Sequence, residues 1–91
     1  MTGRLAGKVA VVSGGATGMG GASSKLFAAE GAKVAIIDRN AEAAAATVRE
    51  IEAAGGTAMY AVADVSKSAD VNAAVASVTA AYGPITVLLE R

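Results

Sequence analysis

The chain has 91 residues, of which 54% are hydrophobic and 18% charged, with a formal net charge of zero. That length holds one small domain, and that balance describes a folded chain, not a disordered one. With no basic excess, no cysteine and no histidine, the composition offers no electrostatic footing for nucleic acid or an anionic membrane. It also offers no disulfide or thiolate, no usual zinc ligand and no imidazole base.

The N-terminal stretch MTGRLAGKVAVVSGG has an apolar run too short for a signal-peptide core or a membrane span, and a cytoplasmic setting is expected. Its β-branched part, Val9–Val12, predicts a first buried strand. The stretch SGGATGMG follows at once, with Gly14, Gly18 and Gly20 spaced G-x-x-x-G-x-G. An alanine-rich helical segment then runs to Gly31. Val34–Ile37 predicts a second strand with Asp38 at its end. Asn40 is placed to cap a second alanine-rich helix, which stops at Gly55. Ala58–Val62 predicts a third strand, followed by Asp64 in the stretch ADVS. Ser66 or Ser68 is placed to cap a third helix, in which Val71, Val75, Val78 and Tyr82 share one face. That helix stops at Gly83-Pro84, and Ile85–Leu89 predicts a fourth strand. Glycine just past a helix accepts the left-handed conformation at little cost, and proline prevents the helix resuming. The first helix alone has no capping residue, because it begins inside the glycine loop.

Short strands joined through helices by short connections must run parallel, with right-handed crossovers. The expectation is an α/β, Rossmann-like, doubly wound parallel sheet of four strands in order 3-2-1-4. The first and second helices should cover one face and the third helix the other. A core built from alanine and small β-branched residues in so short a chain predicts marginal stability.

A helix N-terminus presents unsatisfied N–H groups and a partial positive charge, so it attracts phosphate. Gly14 would permit the tight turn after the first strand, and Gly18 the approach of a pyrophosphate. Gly20 would let the helix pack closely on the sheet. Thr17 adds a hydroxyl and Met19 a backbone N–H. A ligand-free turn would also use glycine, but a loop that follows a strand and opens a helix within a βαβ unit is the context dinucleotide binding requires. Asp38 lies about 20 residues further on, where a carboxylate accepts hydrogen bonds from a ribose diol. It would repel a 2′-phosphate, and Ala16 and Thr17 bring no cation to soften that beyond the adjacent Arg39, so NAD is favoured over NADP. Asp64 serves equally well as an ordinary polar residue before a helix. No lysine follows the glycines, which excludes the phosphate loop of NTPases. S-adenosylmethionine binders, which share a glycine loop and an acidic strand end, stay open at this point.

Taken together, GKVAVVSGGATGMG, AAEGAKVAIIDRN, ADVS and YGPITVLL resemble the N-terminal half of the short-chain dehydrogenase/reductase family, in order and spacing and over nearly the whole chain. The family's T-G-x-x-x-G-x-G appears with Ser13 in place of threonine. The resemblance implies NAD-dependent oxidoreduction of an alcohol or carbonyl. It implies that Asp38 holds the adenosine ribose, Asp64 the adenine amine and Val65 the adenine ring region.

The family's N-N-A-G after the fourth strand is replaced by Leu89-Glu90-Arg91, and its catalytic serine and Tyr-x-x-x-Lys come later still. Tyr60 and Tyr82 have no lysine four residues on, and are expected as a packing residue and a helix-end residue. Ser23 and Ser24 have no histidine to activate them. Thr86 stands where the family commonly has aspartate. The expectation is a cofactor-binding half, inactive alone; the other reading is a non-catalytic nucleotide-binding or assembly half-fold. A fourth strand left as an edge, protected only by Pro84 at its start and by Glu90 and Arg91 at its end, predicts self-association or a partner.

Overall fold

In the computed structural model, which describes residues 4–14 and 16–89, the alternating pattern resolves into seven elements. They are β1 (Val9–Ser13), α1 (Gly18–Ala29), β2 (Lys33–Asp38), α2 (Ala41–Ala53), β3 (Thr57–Val62), α3 (Ser68–Tyr82) and β4 (Val87–Leu89). The four strands form one parallel sheet in the order β3-β2-β1-β4. Val11 sits opposite Ala35 on one side and Leu88 on the other, which places β1 at the centre of the register.

The two faces of the central strands fill separate cores, as strand alternation demands. Ala10, Val12, Val34 and Ile36 pack with Ala28 of α1 and with Ala44, Val48 and Ile51 of α2. Val9, Val11, Ala35 and Ile37 pack with Ala74 and Val78 of α3. The helices therefore divide two against one, as expected for the doubly wound arrangement. Val11, Val12, Val34, Ile36 and Val78 are fully buried, and each such side chain stabilises the fold by about 1.5–3 kcal/mol before entropy is charged against it. Alanine elsewhere lets helix and sheet approach closely but adds less per residue.

The helix stops behave as read, with Gly31, Gly55 and Gly83 all at positive φ. Asn40 caps α2, its side-chain oxygen accepting from the Ala43 N–H at 3.0 Å. The start of α3 differs from expectation. Its N-cap position is Lys67, without a side-chain cap, and Ser68 is already helical. Ser66 is drawn backward instead, its N–H and hydroxyl both donating to Asp64 Oδ1 at 2.9 and 2.6 Å. A strong acceptor two residues upstream outcompetes the helix end for that hydroxyl.

The fourth strand is also shorter than read. Ile85 leaves the ladder to pack against the α3-side core, while the Thr86 hydroxyl accepts from the Val9 N–H at 2.7 Å and the Thr86 N–H donates to the Val9 carbonyl at 2.9 Å. Thr86 thus closes the β1–β4 seam before regular pairing begins at Val87. Glu90 and Arg91, expected to shield the end of this strand, lie outside the described residues.

Candidate functional site

The chemistry-bearing residues gather where the central strands end. β1 runs into Gly14 at φ 69°, and the Gly14 N–H donates to the Ile37 carbonyl of β2 at 2.7 Å. A side chain would strain that conformation. The loop then reaches Thr17, an extended N-cap residue that makes no side-chain cap, and α1 starts with no acidic residue in its first turn. Gly18 sits at φ 58°, and a Cβ built there would meet nothing within 4 Å. The space around Gly18 is therefore open, and among the described residues the helix start has neither a side-chain cap at Thr17 nor an acid in its first turn. Those are the terms on which an N-terminus holds an anion. Thr17, Gly18 and Met19 are exposed, whereas Gly20 is buried within the helix, in keeping with close packing there.

Beside this loop, Gly14, Ile37, Asp38, Arg39, Ala63, Asp64 and Val65 line one groove of about 250 Å³. Four of the expected residues (Gly14, Asp38, Asp64 and Val65) are thus brought together. Thr17, Gly18, Met19 and Gly20 lie at the start of α1 and do not line it. Val65 is 48% exposed and forms an apolar side of the groove. Val65 and Ile37 also border a larger cleft of about 400 Å³ on the α3 side, lined in addition by Val11, Val71, Val75 and Leu88.

The two acids are held differently. Asp38 bridges two backbone donors: Oδ2 accepts from the Ala16 N–H at 3.2 Å and Oδ1 from the Asn40 N–H at 3.0 Å. It therefore anchors the glycine loop and leads the chain into the α2 cap, a load that reading it as a ribose ligand alone does not contain. Lone pairs remain on both oxygens for a further donor. Asp64 accepts from Ser66 on Oδ1, while its own N–H donates to Asp70 Oδ2 at 3.0 Å. Arg39 Nη1 lies 3.9 Å from Asp64 Oδ2, with the arginine side chain 76% exposed. The Ser66 hydroxyl and N–H, with a smaller part from Arg39 and Lys67, hold the Asp64 carboxyl below the usual aspartate range. At neutral pH Asp64 is an acceptor only.

The tyrosines lie away from the groove. Tyr60 is 41% exposed on edge strand β3, so it is not the packing residue expected. Tyr82 ends α3 as expected, with Lys33 Nζ 5.7 Å from its ring centroid, and burial raises its phenol pKa. Among the described residues no group of acids could hold a metal ion, and no helix is long and apolar enough to cross a membrane.

One contributor was missed. Thr47 of α2 is buried, and its hydroxyl donates to the Ala16 carbonyl at 2.7 Å. The signal was available: Ala44, Thr47, Val48 and Ile51 form one inward helical stripe, and a hydroxyl on such a stripe needs a partner across the interface.

The family model described as short chain dehydrogenase matches residues 8–90. The chain belongs to the short-chain dehydrogenase family. Among relatives of this family it is 51% identical over 88 residues to the 2,5-dichloro-2,5-cyclohexadiene-1,4-diol dehydrogenase LinX of Sphingobium indicum, covering 97% of this chain and 35% of that protein. A dehydrogenase/reductase of Sinorhizobium meliloti superposes with a TM-score of 0.92 at 42% identity, covering 96% of this chain and 35% of the other. A metagenomic short-chain oxidoreductase solved in complex with NADP superposes with a TM-score of 0.87 at 40% identity, covering 92% and 38% respectively. The chain therefore spans about a third of the length of these short-chain dehydrogenases.

Proposed function

We propose that this chain is the dinucleotide-binding part of a short-chain oxidoreductase acting on an alcohol or carbonyl, and that it takes NAD by its adenosine and pyrophosphate side. The observation that carries the reading is the shared groove: the turn glycine Gly14, the two strand-end acids and Val65 all line it. In this reading the first-turn amides of α1, around Thr17, Gly18, Met19 and Gly20, receive the pyrophosphate. Asp38 accepts from the adenosine ribose, Asp64 from the adenine amine, and Val65 contacts the adenine ring. The open space over Gly18 and the uncapped helix start fit such a group without rearrangement. When bound, the dinucleotide supplies hydride acceptance or donation.

The NADP complex of a relative at 40% identity keeps the other cofactor in view. The support for NAD is local: in this reading the Asp38 carboxylate faces the adenosine ribose, and its charge would repel a 2′-phosphate. The residues of this chain supply binding and orientation, and hydride transfer is expected to require groups they do not include. The reading also includes association through β4, an edge of the described sheet, whose Leu88 is 60% exposed.

Calorimetric titration of the chain with ADP-ribose, NAD and NADP tests the reading. Binding of ADP-ribose and NAD is expected. No heat with any of the three up to about 1 mM, where a weak adenosine site would already fill, would overturn it.

A further inference from the structure

Ala16 immediately precedes the helix cap Thr17, and both of its backbone polar groups are committed. Its N–H donates to Asp38 Oδ2 at 3.2 Å, and its carbonyl accepts from Thr47 Oγ1 at 2.7 Å. Both partners come from the β2–α2 unit, one at the strand end and one in the second turn of the helix. Ala16 itself is 6% exposed and Thr47 3%, so water does not compete for either group. Thr47 and Ser24 are the buried polar side chains among the described residues. The Ser24 hydroxyl donates within its own helix, to the Gly20 carbonyl. Thr47 has the same local option, the Ala43 carbonyl at 3.1 Å, yet its shorter contact is the one that leaves the helix. A threonine needed only for helix packing would be served by valine, which fills the same volume without a buried hydroxyl.

We propose that Thr47 is a positioning residue for the pyrophosphate-receiving loop: by holding the Ala16 carbonyl it fixes the peptide planes that aim the first-turn amides of α1. The inference rests on the cofactor reading above for its consequence, but its structural content is independent of any ligand. The N–H and the carbonyl of Ala16 belong to the two peptide planes that flank its Cα, and with one anchored to Asp38 and the other to Thr47 neither plane turns freely. Released at its carbonyl, Ala16 would keep only the Asp38 bond, and the N–H groups of the next residues would no longer be pre-aimed. An anion would then have to order them as it binds.

The test compares Thr47→Val and Thr47→Ser with the parent chain, with Thr47→Ala as a second hydroxyl-free variant should valine fail to fold. Amide hydrogen exchange without ligand is read at Ala16 and at Gly21, whose N–H donates to the Thr17 carbonyl, against Ala35–Ile37 of β2 as an internal control. Loss of the hydroxyl is expected to speed the Ala16 and Gly21 amides by about tenfold, the equivalent of one buried hydrogen bond, with the strand amides unchanged and serine parent-like. ADP-ribose affinity should fall by about the same factor in the hydroxyl-free variants and return with serine. Ala16 and Gly21 amides that do not respond, or strand amides that speed equally, would show that Thr47 serves only the packing of α2, and would overturn the proposal. A parent that binds no ADP-ribose would refute the cofactor reading instead, and the exchange result would still decide the role of Thr47.

Discussion

Replacing Asp38 with asparagine is the most direct probe of cofactor choice, and the structure determines how its result must be read. The carboxylate accepts the Ala16 and Asn40 N–H groups on separate oxygens. A carboxamide keeps one acceptor oxygen and turns a donor toward the other N–H, so Asp38→Asn loosens the loop as well as removing charge. That loss, about 1 kcal/mol for one hydrogen bond, falls equally on both cofactors and cancels in the ratio of their dissociation constants. The charge does not cancel. Two like unit charges about 4 Å apart repel by about 1 kcal/mol in bulk water and about 4 kcal/mol near a protein surface. Arg39 is mostly exposed, with its nearest acidic partner Asp64 at 3.9 Å, and can swing to soften this toward the lower end. The parent should therefore prefer NAD over NADP by about tenfold or more, equivalent to about 1.4 kcal/mol, and Asp38→Asn should bring the ratio to within about threefold while weakening both ligands. Four calorimetric titrations suffice. Tighter binding of NADP by the parent, or a ratio untouched by the substitution, would refute the assignment of Asp38.

The remaining predictions concern the ligand's other half, the sheet edge and acid. All assigned contacts lie on the adenosine and pyrophosphate side, so ADP-ribose should bind within about tenfold of NAD, and secondary alcohols should give no steady NADH absorbance with this chain alone. Much tighter NAD binding would reveal a nicotinamide contact. Sedimentation across a wide concentration range should show association that Leu88→Lys weakens; a monomer throughout would mean that β4 is protected. Leu88 is the residue to change because Val87 and Leu89 pack on the α1–α2 core, where lysine would damage the fold itself. The Asp64 carboxyl is held low by Ser66, so its contribution to stability is present above the pKa of the unfolded chain and is lost as pH falls through the depressed folded value. Urea unfolding at decreasing pH should be less acid-sensitive in Asp64→Asn than in the parent, and identical slopes would contradict that.

The topology was legible because three local signals agreed: β-branched runs of strand length, glycine stops, and connections too short for anything but parallel strands with helical crossovers. What was misread lies where local options are nearly equal in energy. Between Asp64 and Asp70 the chain offers Asp64, Ser66, Ser68 and Asp70 as possible caps or turn partners. Choosing among them requires knowing that the Asp64 N–H turns toward Asp70 and its carboxylate toward Ser66. Ile85 has strand propensity, but its burial against α3 is a tertiary outcome that no local pattern encodes. Thr47 stood on a readable stripe, whereas the identity of its partner followed only once α2 was laid across the loop.

The placement of the site follows from which faces the helices occupy around β1. α1 and α2 cover the sheet face that contains Ala10 and Val12, while α3 covers the face that contains Val9 and Val11. The chain thus leaves β1 toward one face, and its other neighbour, β4, is reached from the opposite one. Connections diverging on either side of a central strand leave a crevice above its C-terminal end, and nothing in the strand itself fills it. Here that end is Gly14, the residue least able to fill it and the one whose turn delivers the uncapped start of α1. The second acid arrives by the same logic: parallel strands finish on one edge of the sheet, so Asp38, the last residue of β2, and Asp64, two residues past β3, come to line one groove with Gly14. The fold brings glycine and carboxylates together before any ligand does. Asp38 is the residue in which the two roles meet, since the carboxylate that holds the loop to β2 is also the one presented to whatever the loop receives.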